Sequence, residues 1–123
     1  MRTIKFRGLR LDGNGWDYGY YLAYKVTGGG ELLNFIKTPS IGTNRVKPKT
    51  VGQFTGLQDK NGINIYEGDI VEYNKIMYNN SIRKSGVVVF EEGCFRLKKS
   101  TSLYIICGND FKAEVIGNIH GQL

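Results

Sequence analysis

Apolar residues in this chain recur with a period of two, in short stretches broken by glycine, asparagine and aspartate. That is the pattern of strands exposed on one face and joined by tight turns. Ile4 and Phe6 alternate with Lys5 and Arg7 and predict a first, half-buried strand. Asp12-Gly13-Asn14-Gly15 holds two overlapping turn signals. A second strand is expected from Trp16 to about Val26, dense in Tyr18, Tyr20, Tyr21 and Tyr24, and it closes a hairpin on the first. Gly28-Gly29-Gly30 marks the next turn. Glu31 to Lys37 reads as a third strand, and Thr38 to Asn44, with Pro39 and Gly42 inside it, reads as a loop.

The second half continues in the same manner. A short strand is expected from about Lys49 to Phe54, followed by a turn-rich stretch from Gly56 to Gly62. Ile63-Asn64-Ile65 alternates, Glu67-Gly68-Asp69 punctuates, and Ile70 to Tyr73 is a strand. Asn74 to Ser85 is rich in lysine and asparagine and reads as a polar, mobile loop. Val87 to Phe90 is a β-branched strand, turned by Glu91-Glu92-Gly93 into Cys94 to Lys98, where Phe95 and Leu97 alternate with Arg96 and Lys98. Leu103 to Cys107 fits a strand or a single helical turn. The last strand is expected over Glu114 to His120, with Val115, Gly117 and Ile119 on one face. No segment holds a helical period beyond about two turns, and short strands at this spacing point to a barrel or sandwich. The loop around residues 38 to 48 is the expected junction between two layers of one domain.

Composition agrees. Hydrophobic residues make up 41% and charged residues 23%, ordinary for a globular protein. Seventeen glycines and fourteen Tyr and Phe against two prolines suit short strands and tight turns. Cys94 and Cys107 are too few for a disulfide framework. The opening residues carry charges where a secretory signal needs an apolar stretch, and no run approaches the roughly 18 residues of a membrane span. The expectation is a cytosolic protein with reduced, mostly buried thiols.

A search for chemistry returns little. His120 is the only histidine, and with two distant cysteines the spacings of a zinc site are absent. No serine has a triad-like constellation around it. Gly28-Gly29-Gly30 lacks the Lys-Ser/Thr of a phosphate loop, and Gly13-x-Gly15 lacks the third glycine of a dinucleotide fingerprint. Asp59-x-Asn61-Gly62 has its glycine too early for a calcium loop. Asp59, Glu67, Asp69 and Glu72 do cluster in sequence, which fits Mg²⁺ binding or acid–base work; turn capping by the aspartates is the favoured reading.

The formal net charge of +6 permits an acidic partner such as nucleic acid. The residues that would carry it are Arg45, Lys47 and Lys49, Arg83 and Lys84, and Arg96 and Lys98. Interleaved tyrosines and phenylalanines could stack bases; the alternative is that these charges only solvate strands whose aromatics point inward.

Three motifs in order carry a resemblance. Lys5-Phe6-Arg7 opens the chain. Gln53-Phe54-Thr55-Gly56-Leu57-Gln58-Asp59-Lys60-Asn61-Gly62 continues into Ile63 to Tyr66 and Glu67-Gly68-Asp69-Ile70-Val71. Val115 to Ile119 closes it. Together they resemble the signature of the YopX family of phage and prophage proteins. The resemblance implies a phage- or prophage-encoded protein acting in a bacterial host's cytoplasm. It also implies an all-β fold in which an SH3-like barrel over about residues 49–123 carries an N-terminal β-hairpin layer over about 1–48, with at most short helices. It brings no catalytic residues, metal or cofactor. The glycines of the central block fit a fold signature, with Tyr66 and Ile70 filling the barrel. The expectation is a non-enzymatic binding or adaptor module for an unidentified host or phage protein, without membrane attachment. Single-stranded nucleic acid is the alternative ligand, and a metal-dependent enzyme using Asp59 and Asp69 is the weaker third.

Overall fold

Eleven strands and a single 3-10 turn account for the regular structure in the computed structural model, which describes residues 3–25, 28–40, 42–99, 102–105 and 113–121. Among the described residues the strand pairings with a resolved register are antiparallel. The all-β expectation therefore holds. Among the described residues no helix is long and apolar enough to cross a membrane. The chain divides into two compact units, Met1–Phe54 and Thr55–Leu123.

The first unit contains β1 (Phe6–Leu9), β2 (Trp16–Lys25), β3 (Leu32–Thr38), β4 (Gly42–Arg45), a 3-10 turn at Pro48–Thr50 and the start of β5 (Gly52–Gln58). Its strands lie in the order β4-β3-β2-β1-β5. The β1–β2 turn is the expected one: Gly13 and Gly15 take φ of 81° and 92°, and the Arg10 amide donates to the Gly15 carbonyl at 2.8 Å. β1 pairs with β2 only as far as Phe6↔Gly19, and β3 takes over from Tyr20↔Lys37. Gly19 sits at that handover because nothing larger fits; a Cβ there would lie 2.1 Å from the Lys37 carbonyl oxygen. The buried face carries Ile36, Asn34, Asp17 and Thr38, with Val46 set so closely on Gly8 that a Cβ there would meet it at 2.9 Å.

Several expectations for this half need correction. The first strand does not alternate in burial: Ile4 is exposed and Phe6 half-buried, while Arg7, Gly8 and Leu9 are all buried. Arg7 escapes the cost of a bare buried charge by lying over the Trp16 ring, 4.6 Å from its centroid. The supposed loop from Thr38 to Asn44 holds the end of β3 and most of β4. β4 is a short, polar edge strand whose residues are exposed except for the half-buried Asn44, so it shows no apolar alternation. The strand expected from Lys49 begins at Gly52 instead, since Pro48 starts a 3-10 turn stapled by Thr50, whose hydroxyl donates to the Lys47 carbonyl and accepts from the Leu9 amide. β5 continues to Gln58, across what reads in sequence as turn, with Gly56 at φ 87°.

The second unit holds the end of β5 and β6 (Asn64–Tyr66), β7 (Asp69–Met77), β8 (Asn80–Glu91), β9 (Cys94–Lys99), β10 (Ser102–Ile105) and β11 (Ala113–Asn118). β10-β9-β8-β7-β11 form a five-stranded sheet, an arrangement compatible with an SH3-like barrel. Its core is Ile65, Val71, Val88, Leu97 and Ala113, with Leu57, Tyr73, Phe95 and Val115 packed around them. Each large member contributes on the order of 1.5–3 kcal/mol by leaving water. Tyr66 is buried as expected, but Ile70 is not a core residue; Val71, its neighbour on the other face of β7, takes that place.

The stretch from Asn74 to Ser85 is not a loop. It is the far end of a long β7–β8 hairpin, paired from Ile70↔Val87 to Met77↔Asn80. β11 reaches only to Tyr73 and β9 only to Val87, so the outer half is a two-stranded ribbon. Its residues 74, 78–83 and 85 are exposed, so apolar alternation is not required of them and the sequence reads as loop. Its two-residue turn places Tyr78 and Asn79 at φ of 49° and 66°, the left-handed pair of a type I′ hairpin. β11 ends at Asn118 and carries a bulge between Val115 and Gly117, which destroys the expected common face; Ile116 and Ile119 are exposed. Ser102–Ile105 is strand, and Ile106 and Cys107 lie outside the described residues.

Candidate functional site

The aromatic residues of β2 do not all point inward. In antiparallel pairs, directly opposed residues project to the same side. Tyr18 is opposed by Arg7, Tyr20 by Lys37, Leu22 by Phe35 and Tyr24 by Leu33. Lys37 is in turn opposed by Thr43, and Phe35 by Arg45. One face of the β2–β3–β4 sheet therefore carries Tyr18, Tyr20, Leu22 and Tyr24 in a row, with Leu33, Phe35, Lys37 and Arg45 alongside. Tyr20 is 64% exposed, Tyr24 49% and Tyr18 45%. Tyr24 stacks on Phe35, ring centroids 4.9 Å apart and planes 14° apart, which keeps the outer face of its ring turned outward. Lys37 and Arg45 are exposed, and none of the strand residues on this face is acidic.

The opposite face explains why the row is outward. Tyr21 projects there, donates its hydroxyl hydrogen to Asn34 Oδ1, and packs against Phe6 at 5.7 Å. Asp17 accepts from the Asn44 side chain at 3.0 Å and lies 4.0 Å from Arg10. Ile36 is fully buried on that side. With that face committed to Ile36 and the polar network, period two leaves Tyr20, Leu22 and Tyr24 on the other; at its β1 end that other side also carries the buried Arg7 and Leu9, beside Tyr18.

The sequence-predicted cations fall into two settings. Arg45 is on the aromatic face just described. Lys47 and Lys49 flank and occupy the 3-10 turn, exposed but not on a strand as expected. In the second unit, Arg83, Arg96 and Lys98 share the sheet face opposite the core, whereas Lys84 has the parity of Gly86 and Val88 and projects to the core side at its margin. Arg83 is neutralised by Glu72 at 2.8 Å and Glu114 at 3.2 Å, and Lys60 reaches Glu114 at 3.3 Å. Arg96 lies 3.4 Å from Glu92 and directs Nε to Cys94 Sγ at 3.2 Å. Charge is divided accordingly: Met1–Phe54 carries nine Lys and Arg against three Asp and Glu, and Thr55–Leu123 carries eight of each. The whole excess of +6 belongs to the first unit's sequence.

The acidic cluster is dispersed into backbone capping. Asp59 is buried; Oδ1 accepts from the Asn61 and Ile63 amides at 2.8 and 2.9 Å, and Oδ2 from the Val115 amide at 3.0 Å. Burial pushes its pKa up, but the Val115, Ile63 and Asn61 amides, with Lys60 nearby, outweigh that and hold the carboxyl below the usual carboxylate range. Asp69, also buried, accepts from the Tyr66 amide at 2.8 Å. Glu72 is held by Arg83, and Glu67 is half-buried. Among the described residues no three His, Cys, Asp or Glu side chains come together to hold a metal ion.

Sequence reasoning missed Lys37 and the tyrosine row as a site. The signal was present in the i, i+2, i+6 spacing of Tyr18, Tyr20 and Tyr24, but consecutive tyrosines at 20 and 21 conceal which phase is buried.

No curated protein matches the chain. The model of the family described as YopX protein matches residues 5–122 of the 123, almost the entire length, and the chain belongs to the YopX family.

Proposed function

We propose that this protein is a non-enzymatic binding module that engages its partner through the exposed aromatic and basic face of β2, β3 and β4. The observation that carries the reading is the row Tyr18, Tyr20, Leu22 and Tyr24 held outward beside Lys37 and Arg45. Contiguous exposed aromatics on a small sheet are rare unless something covers them, and Tyr and Arg are the residues interfaces favour. In the same reading the protein is encoded by a phage or prophage and acts in the cytoplasm of the bacterial host, the setting that its YopX family membership suggests. A metal-dependent activity at Asp59 and Asp69 is the weaker reading, because both carboxylates are already engaged by main-chain amides.

The test is affinity capture from bacterial lysate, with and without nuclease, comparing the wild-type chain with Tyr20→Ser/Tyr24→Ser. Both positions are exposed, so the variant is expected to keep its fold and lose the captured material. Equal capture by both proteins, or turnover in a broad hydrolase screen that survives the double substitution, overturns the reading.

A further inference from the structure

We propose that the ligand of this face is single-stranded nucleic acid, an inference that rests on reading the face as a binding surface. Four features point to it. The outward rings of Tyr20 and Tyr24 offer π-faces to bases, and stacking on strand-borne aromatics is how a sheet surface holds unpaired bases without choosing among them. Tyr20 and Tyr24 stand four residues apart on the strand, about 14 Å, with Leu22 between them, roughly four times the 3.4 Å rise of stacked bases in a duplex strand. Only a strand free to unstack and extend can lay successive bases on such a row. Lys37, directly opposite Tyr20, and Arg45, opposite Phe35, flank the row where a backbone would run. Finally, the face carries no acidic strand residue and belongs to the unit whose sequence holds the entire +6 charge. A long-range field of that sign draws polyanions and repels basic surfaces.

The assignment relocates the site relative to what charge alone suggests. Arg83 and Arg96 belong to a unit with as many acidic as basic residues, and each already faces a carboxylate. They serve as controls.

The experiment is a fluorescence-anisotropy titration of the full chain with a labelled oligothymidylate of about 20 nucleotides and a duplex of the same length, at 50 and 200 mM salt. Single strand is expected to bind more tightly than duplex. With about two phosphates neutralised, affinity for the single strand should fall roughly sevenfold between the two salts. Tyr20→Ala and Tyr24→Ala should each weaken binding about tenfold, whereas Tyr20→Phe and Tyr24→Phe, which keep the ring, should bind as wild type. Lys37→Ala/Arg45→Ala should weaken binding and flatten the salt dependence, and Arg83→Ala/Arg96→Ala should change neither. Should an alanine variant lose its fold by circular dichroism, Lys37→Glu at an exposed site carries the test, with loss of binding expected. Binding that is indifferent to the tyrosines and Lys37, or that depends on Arg83 and Arg96, overturns the placement. No binding to any oligonucleotide at low salt and tens of micromolar protein overturns the ligand. If Tyr20 and Tyr24 still govern capture of a nuclease-resistant protein from lysate in that case, the face remains a binding surface and its partner is a protein.

Discussion

Replacing Asp59 by asparagine exchanges one carboxylate oxygen for an amide nitrogen and leaves shape almost unchanged. The consequences come entirely from hydrogen bonding. Oδ1 accepts the Asn61 and Ile63 amides and Oδ2 accepts the Val115 amide, 56 residues along the chain. These bonds tie the turn after β5 to the first strand-turn of β11. Asparagine has one acceptor oxygen. If it stays with Asn61 and Ile63, the amide NH₂ meets the Val115 N–H, donor against donor; if it flips, two turn amides lose their acceptor. A hydrogen bond to a charged group contributes about 1.5–3 kcal/mol, and a buried donor left without a partner costs about 1–3 kcal/mol. Since the same amide is involved in both, Asp59→Asn should destabilise by about 2–3 kcal/mol, or about 10–20 °C in Tm for a unit of this size. Urea titration followed by far-UV circular dichroism measures it, and hydrogen exchange at the Val115 amide localises it. The effect should also depend on pH in a definite direction. The folded-state pKa is depressed, so the stabilisation is complete above the unfolded carboxyl value near 3.9 and is lost as pH falls through the folded value. The gap between wild type and variant therefore narrows below about pH 4. A loss smaller than about 0.5 kcal/mol at pH 7, or an unchanged gap at pH 3, would show that Asp59 is not the tie described.

Three further outcomes follow from single contacts. Mg²⁺ up to about 10 mM should shift Tm by less than about 1 °C, because Asp59 and Asp69 are spent on amides; a rise that grows with concentration as ligand linkage requires would restore the metal reading. Gly19→Ala should cost more than about 3 kcal/mol, since its Cβ would sit 2.1 Å from a backbone oxygen that cannot yield; the single tryptophan, Trp16, reports it by fluorescence, and a near-neutral result refutes the close approach. Replacing Tyr78-Asn79 by Asn-Gly should stabilise the β7–β8 hairpin by about 0.5–1 kcal/mol, because both positions need positive φ and Tyr78 is 91% exposed; an unchanged or lower urea midpoint refutes the type I′ assignment.

The sequence by itself determined what depends on neighbours along the chain. Period-two alternation at Phe95 to Lys98 places Leu97 in the core, glycine pairs set the β1–β2 turn, and Asp59 and Asp69 read as turn caps because each holds amides only a few residues away, although the bond from Asp59 to Val115 is long-range and has no local signal. The motif block around Thr55 to Val71 carried the family for the same reason: its residues act locally. Tertiary structure decided whatever depends on which elements lie beside a strand. β4 and the outer β7–β8 ribbon were invisible because most of their described residues are exposed and polar, so no apolar alternation marks them. Arg7 looked exposed until Trp16 lay beneath it. The candidate face is the sharpest case. Alternation allows either phase of β2 to be outward, and only the placement of Ile36, Asn34 and Val46 on one side leaves Tyr18, Tyr20 and Tyr24 on the other. Lys37 and Arg45 join that row through strand pairing across 17 and 10 residues, to Tyr20 and Phe35 respectively, a proximity that no local pattern encodes.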